Sequence, residues 1–531
     1  MPKYDLIVIG SGLAGVHAAY TPVERGLRVL MLDVGAVAAA QKEDDATNTF
    51  EEVRKTDSEQ YRIFLGDDLS GIDAFVSDKG HGAAMTSGRR AYVTEGAEVY
   101  GPIKRNGTEV TQSFARGGLS EVWSGVSDIF DDGELSAAGM PAYSTMKKYY
   151  SNVIERIGVS GVFDGLHLQP PPNLDDNARE LLTRYSARQN TINDAGFEIK
   201  QPLYAMLTED TNGRKAQSYR DMDFWDNSGR TLYRARYTLE DLEKRANFTY
   251  VSGVLVHRVT DDAESVTITA HEIKNGDQRA FTARAVIVTA GAINTTRLLL
   301  RSFERYNIRA PIILKNYCAV PFLFPARLGK RGDSKRYSYS QLAVHSLEKV
   351  NGMGQVYAQL LNYKSLLLYK LLSYIPLPVP EAFSILSFLA PALVLADIRF
   401  PSVADPDHGA ILQKTSEGDQ LVMEYPENEE TARIQKRKID DVKRVLRRLG
   451  LIPLATIRNP YGGASHYAGG VPFSSEPTEG LTINKKGQVH GHERIFVGDS
   501  AGWKALPAKP SGLTIMANAD RIGECAVHFL N

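Results

Sequence analysis

The sequence predicts an α/β fold, α+β over the whole chain. A parallel-sheet domain, discontinuous in sequence, is joined by a second domain carrying an antiparallel sheet and helices. Three observations carry this reading. The chain opens with a β-α-β pattern. Short, fully apolar strand patterns return near residues 285–290 and 495–497. Between them, from about 316 to 457, alternating strands and turn signals replace that style.

The apolar run Tyr4 to Ile9 stops at Gly10 and reads as a buried strand. A helical pattern from Ala14 to Arg25 ends at Gly26, and Arg28 to Asp33 is a second apolar strand, so a parallel sheet is expected. Residues 36–112 are polar and irregular and read as surface or covering segments. Phe248 to Val259 and Ser265 to Ile273 alternate like strands. Ala285 to Ala290 is a buried run that leads through Gly291 into a helix at Thr295–Leu300. Tyr337 to Ser346 and Gln355 to Tyr363 flank Val350-Asn-Gly352 as one hairpin, and Ala410 to Thr415 and Gln420 to Tyr425 flank residues 416–419 as another. Glu429 to Leu449 is a charged amphipathic helix closed by Gly450.

At 531 residues the chain exceeds one core and implies two domains. With 62 Lys plus Arg against 63 Asp plus Glu, the net charge is −1, and no basic block supports nucleic-acid binding. Cys318 and Cys525 stand far apart without metal-type neighbours, so neither a metal site nor a disulfide framework is expected. The opening strand follows no charged leader or signal-type core, which reads as a cytoplasmic protein of a reducing compartment. Leu366 to Phe400 is unusually apolar, but prolines 376, 378, 380 and 391 interrupt it. Its clean apolar run of about 13 residues is shorter than the ~20 a bilayer span needs. It reads either as core or subunit contact, or as contact with a membrane surface or lipid-linked substrate.

Gly10-Ser-Gly12-Leu-Ala-Gly15 sits between the first strand and helix, with Asp33 eighteen residues after Gly15. Gly10 suits the tight turn, Gly12 lets backbone approach a pyrophosphate, and Gly15 lets helix pack on strand. The helix start, with Leu13 and Ala14, faces the phosphates. Asp33 can accept hydrogen bonds from an adenosine ribose and disfavours a 2′-phosphate. This Rossmann-like motif alone leaves NAD and FAD open.

The stretches Val489 to Ser500 and Leu506 to Ala519, with Ala285 to Leu300, resemble the glucose–methanol–choline (GMC) flavoprotein oxidoreductases. Gly117-Gly-Leu-Ser-Glu-Val-Trp-Ser-Gly125 resembles the segment that passes along the flavin ring, nearest to the pyranose-oxidase branch. The resemblance covers about half of the chain. It implies FAD, with Gly10, Gly12, Gly15 and Asp33 at the adenosine diphosphate end and Val256 at adenine. Ala290, Gly291 and Ala292 would lie beside the phosphates, and Gly498, Asp499 and Ser511 near the ribityl chain and pyrophosphate. Gly117, Gly118, Ser120, Val122 and Trp123 would line the ring. Val122 stands where that branch carries the histidine of a covalent flavin link, so the flavin is expected to be non-covalent. The FAD domain is assigned residues 1–48, 108–165, 225–315 and 458–531, and the substrate domain 49–107, 166–224 and 316–457.

Removing a hydride from an alcohol requires a group to take the hydroxyl proton, and histidine suits this near neutral pH. Of eleven histidines, His466 lies in the glycine-rich Gly462–Gly470 loop, at the place of the family's active-site histidine. His490 and His492 enter a strand and read as structural. Where the family has a second His or Asn, this chain has Lys509-Pro510. Lys509 is a candidate to bind substrate oxygen, the alternative being that Pro510 starts the helix and Lys509 faces solvent. The reading is an FAD-dependent oxidation of a CH–OH group, leaning towards a sugar or polyhydroxylated substrate. Alternatives are a lyase or isomerase with structural FAD and a non-catalytic flavin-binding protein. The sequence leaves the oligomeric state open.

Overall fold

A computed structural model describes residues 3–38, 55–66, 69, 88–219, 229–330, 339–347, 355–362, 372, 375–416 and 418–531. Five strands run parallel in the order Phe248–Val251, Val29–Leu32, Tyr4–Ile9, Gln278–Val288 and His492–Val497, with Gln488–Val489 antiparallel at one edge. Four of them carry the apolar runs of the sequence, Phe248–Val251 being a partly exposed edge strand, and the pattern has a physical cause. Leu6 and Val8 face one layer of core, Ile7 and Ile9 the other, and all four are buried. A parallel sheet covered on both faces needs apolar residues at every position. Val254–Asp261 and Val266–Glu272 form an antiparallel meander that feeds into Gln278–Val288.

On one face the helix Leu13–Glu24 crosses the last helix, Gly512–Leu530, so closely that a Cβ on Gly523 would overlap the Ala18 carbonyl oxygen. The first and last helices of the chain are thus packed together, and the sheet closes through segments far apart in sequence. The carboxyl ends of its strands converge at Ile9, Leu32 and Thr289 on the rim of one cavity, the usual ligand side of such sheets.

The second sheet is antiparallel, in the order Ile452–Pro453, Tyr317–Leu323, Leu393–Arg399, Tyr357–Asn362, Leu342–Ser346 and Phe197–Lys200. Helices Asp176–Ser186 and Glu429–Arg448 cover one face through Leu181, Ile439, Val442 and Leu446. The hairpin expected around residues 350–352 pairs as Leu342–Ser346 with Tyr357–Asn362, while its turn and Tyr337, Ser338 and Tyr363 lie outside the described residues.

The second hairpin forms too, but not in this sheet. Gly409–Thr415 and Gly418–Glu424 join Ile103–Asn106 and Arg309–Ala310 in a separate four-stranded sheet over Ile293 and Leu300. The middle block thus supplies the expected antiparallel sheet and also part of this four-stranded, mixed one, in which Gly418–Glu424 runs parallel to Ile103–Asn106. Alternation specifies which face of a strand is buried, not which sheet it joins.

The apolar Leu366–Phe400 segment divides. Leu393–Arg399 is an interior strand of the second sheet. Helix Val379–Leu389 buries Ala382 and Leu386 and leaves Val379, Phe383 and Phe388 more than half exposed. Residues 363–371, 373 and 374 lie outside the described residues. Among the described residues no helix is long and apolar enough to cross a membrane.

Candidate functional site

A cavity of about 480 Å³ runs from the first βα turn of the parallel sheet to the inner face of the second sheet. Its first half is made largely of backbone. Gly10 has φ +97°, and a Cβ there would meet the Thr289 carbonyl at 2.8 Å, so glycine is required for the turn. A Cβ on Gly15 would overlap the Gly10 carbonyl, so Gly15 serves helix–strand packing and does not line the cavity. At Gly12 nothing lies within 4 Å of a built Cβ except that Gly118, opposite, would carry its own Cβ 3.3 Å from the Gly12 Cα. These two bare glycines hold open a slot between the first helix and the 117–125 segment. Leu13 and Ala14 line the slot at the helix N-terminus, whose backbone N–H groups favour anions.

Asp33 closes the far end of this half. Ser11 Oγ donates to its carboxylate, Tyr250 OH donates at 3.2 Å, and Gly117 N–H donates to Ser11 Oγ at 3.0 Å. Burial pushes the Asp33 carboxyl up to about 6, against the pull of the Ser11 and Tyr250 hydrogen bonds. Val256 and Ala290 line the same region, as does Gly291, whose φ of +84° starts helix Ala292–Ser302. Asp499 accepts from Gly291 N–H at 2.8 Å, Thr295 Oγ1 at 2.5 Å and Ala501 N–H at 2.9 Å, and burial raises it to about 6 as well. The bare glycine slot, the helix start and a buried carboxylate with ribose-type reach fit the adenosine diphosphate part of FAD. Ser120, Val122 and Trp123 continue the wall towards the second half. Trp123 Nε1 donates to the Tyr233 carbonyl at 2.6 Å, and its ring leaves no room for a Cβ on Gly512. Val122 carries no nucleophile for a covalent flavin bond.

Besides Gly15, three expected site residues stand off the cavity. Gly117, with φ +91°, acts through its hydrogen bond to Ser11. Gly498 is a packing glycine: a Cβ there would meet Thr289 and Ile287 side chains below 3.0 Å, so the ribityl role read for it is corrected. Lys509 is the larger correction. Its ammonium donates to Glu134 Oε2 at 2.6 Å and to the Ile129 carbonyl at 3.3 Å, with Asp131 at 3.6 Å. It is neither a cavity cation nor solvent-facing. Burial alone would lower its pKa, but Glu134 and Asp131 outweigh that and raise it. Pro510 faces the cavity instead.

The second half is made of side chains from separate elements. His466 precedes the strand Tyr467–Gly469, which pairs with Ile312–Leu314, and its carbonyl accepts from Lys315 N–H at 3.1 Å. Arg399 Nη1 lies 3.1 Å from His466 Nε2, and Ser511 Oγ lies 3.1 Å from Nδ1. A guanidinium can only donate, so Nε2 is the acceptor and Nδ1 carries the proton. Burial, then the charges of Lys315 and Arg399, hold the imidazole well below its usual pKa, keeping it neutral. Lys315 is itself fully buried, donating to the Lys509 carbonyl at 2.7 Å, and burial drives its pKa well down. His490 and His492 lie elsewhere: His492 bonds Asp261 at 2.7 Å and stacks on Phe303 at 4.0 Å, while His490 lies 3.3 Å from the Ser474 carbonyl.

Sequence reasoning missed Arg399, Asp397, Gln359, Tyr317 and Lys315 around His466, and Ser11 and Tyr250 around Asp33. Ser11 sits inside the glycine motif and was open to inspection. The others carry no local signal, because the sheets alone bring them to the site.

A parallel sheet of Rossmann-like type, a second wall sheet and a cavity between them make up the fold. A solved structure with this fold is pyridoxine 4-oxidase from Mesorbium loti, which superposes with a TM-score of 0.62 and 13% identity over 99% of each chain. No protein-family model matches the sequence, and no curated protein matches it.

Proposed function

We propose that this chain is an FAD-dependent oxidoreductase that oxidises a CH–OH group, with His466 as the acceptor of the hydroxyl proton. One observation carries the reading: a single cavity joins the Gly12–Gly118 slot to a neutral imidazole whose unprotonated Nε2 faces a guanidinium. When bound, FAD supplies the acceptor for the hydride, and Val122 leaves it non-covalent. Gly10, Gly12, Leu13, Ala14, Asp33, Val256, Ala290, Gly291 and Asp499 hold its nucleotide part. Gly118, Ser120, Val122 and Trp123 flank the ring, and Ser511 orients His466.

In this scheme Arg399 Nη1 turns from His466 Nε2 to the alcohol oxygen when substrate binds, and the substrate hydroxyl donates to the freed Nε2 lone pair. Ser511 fixes the ring through Nδ1–H, and the depressed pKa keeps the base free at neutral pH. Arg399 donates to the alcohol oxygen as it gains negative charge, in the role first read for Lys509. The 117–125 segment supports a sugar or polyhydroxylated substrate.

The purified protein should be yellow and release FAD on acid denaturation. Anaerobic mixing with a panel of alcohols and sugars should bleach the flavin with at least one of them. Flavin-free protein, or flavin retained by the precipitated chain, contradicts the cofactor assignment. Flavin that no alcohol bleaches favours a lyase, an isomerase or a non-catalytic binder.

A further inference from the structure

The inner face of the second sheet, which forms the substrate end of the cavity, changes polarity row by row. Residues two apart on a strand share a face. The register places Arg399 opposite Tyr317, Asp397 between Ala319 and Gln359, Leu395 between Pro321 and Leu361, and Leu393 opposite Leu323. Tyr317, Gln359, Leu361, Leu395, Asp397 and Arg399 all line the cavity. The alternate residues, such as Val320, Leu360 and Ala396, face the helix-covered core instead.

The first row, at Arg399, touches His466. The second holds two unsatisfied polar atoms on residues paired in register. Asp397 Oδ2 accepts from Arg399 Nε and Nη2 at 3.1 and 2.8 Å, but Asp397 Oδ1 has no hydrogen-bond partner among the described residues. Gln359 Nε2, its register neighbour and buried to 2% exposure, has none either. One free acceptor together with one free donor matches a hydroxyl group, which both donates and accepts. A buried polar group left unpaired costs about 1–3 kcal/mol, so a ligand that completes the pair is favoured. The third row, Leu395 with Leu361, is apolar and lies about 13 Å along the strand from Arg399. Beyond it Leu393 and Leu395 pack with Leu386 of the Val379–Leu389 helix, which exposes Phe383 and Phe388. The Arg399 charge is already paired with Asp397, which leaves no free cation among the described residues of this wall for a carboxylate or phosphate head.

We infer that the substrate is a neutral amphipathic alcohol. One hydroxyl reacts at His466, a second is held between Asp397 and Gln359, and an apolar substituent lies on Leu361 and Leu395. The inference rests on the oxidoreductase reading of the site and names the substrate class for it.

The test uses the FAD-loaded protein under anaerobic conditions with glucose and its methyl, butyl and octyl glucosides below micelle concentration. Both the shift of the flavin spectrum on binding and its bleaching are followed. Each methylene that reaches the Leu361–Leu395 row should tighten binding by up to about four-fold. Butyl glucoside should therefore bind at least about ten-fold tighter than methyl glucoside. Leu361→Asn should remove most of that difference, bringing butyl and methyl glucoside to similar affinity. Gln359→Leu should weaken every glucoside alike. Should Leu361→Asn fail to fold, the wild-type chain-length series decides alone. Bleaching without chain-length dependence overturns the inference and leaves the oxidoreductase reading standing. A chain-length-dependent shift without bleaching upholds the wall and overturns the reaction. Neither shift nor bleaching with any glucoside overturns the inference.

Discussion

The two ends of the cavity are built from different materials. The end proposed for the nucleotide is backbone: Gly10, Gly12 and the start of one helix, all within six residues, facing Gly118 and closed by Asp33. The end proposed for the reaction is side chains: His466, Ser511, Arg399, Asp397 and Gln359 come from a loop, a helix start and two strands of another sheet. A backbone cradle is destroyed by adding a single side chain and depends little on the rest of the chain. A side-chain cluster degrades in graded steps, because each member contributes separately and each is held by a different element.

The largest effect belongs to the backbone end. Gly12→Val should abolish FAD binding and colour while the fold survives, since a Cβ there meets no protein atom. Circular dichroism and flavin absorbance check this, and a variant that stays yellow at full occupancy would detach the glycine motif from the cofactor. Next is His466→Ala, which should keep FAD and slow single-turnover flavin reduction by about 10²–10⁴-fold. A change of only a few-fold would exclude His466 as the base.

Arg399→Gln should slow the same step by about 10²-fold, the order found for losing one donor to a developing oxyanion. It also tests the pH profile. A base whose pKa is depressed is lost only when pH falls through that depressed value, so the wild-type acid limb should lie well below pH 6.5. Removing the Arg399 charge takes away one cause of the depression, and the limb should move up. An unmoved limb would break the link between the two residues.

The smallest effect on activity is expected at Lys509. Lys509→Met should leave flavin reduction within a few-fold while costing about 3 kcal/mol of stability, because it strands the buried Glu134 carboxylate. Restored stability in Lys509→Met/Glu134→Gln would assign the pair to structure, whereas a large loss of reduction rate would return Lys509 to the site.

The same contrast explains what could be read in advance. Gly10 to Asp33 was legible because turn, helix start and carboxylate sit at fixed spacing on one βαβ unit. The place of His466 on the cavity wall was legible from a glycine-rich loop. Lys509 was misread because its position along the chain suggested the cavity, while Glu134 and Asp131, some 375 residues away, draw its side chain aside. Gly498 was misread for a related reason: a glycine at a strand end serves ligand approach or packing, and only its neighbours Thr289 and Ile287 decide between them.

By itself the sequence determined the parallel sheet, the glycine turn with its acidic partner, both hairpins and the long charged helix. All of these follow from local periodicity and from residues whose backbone demands are met within a few positions. Only the tertiary structure decided that the hairpins belong to different sheets, that Lys509 is tied away from the cavity, and that Arg399, Asp397 and Gln359 share one cavity with His466. Those outcomes depend on strand order and register, which are selected by packing between distant segments and leave no mark on neighbouring residues.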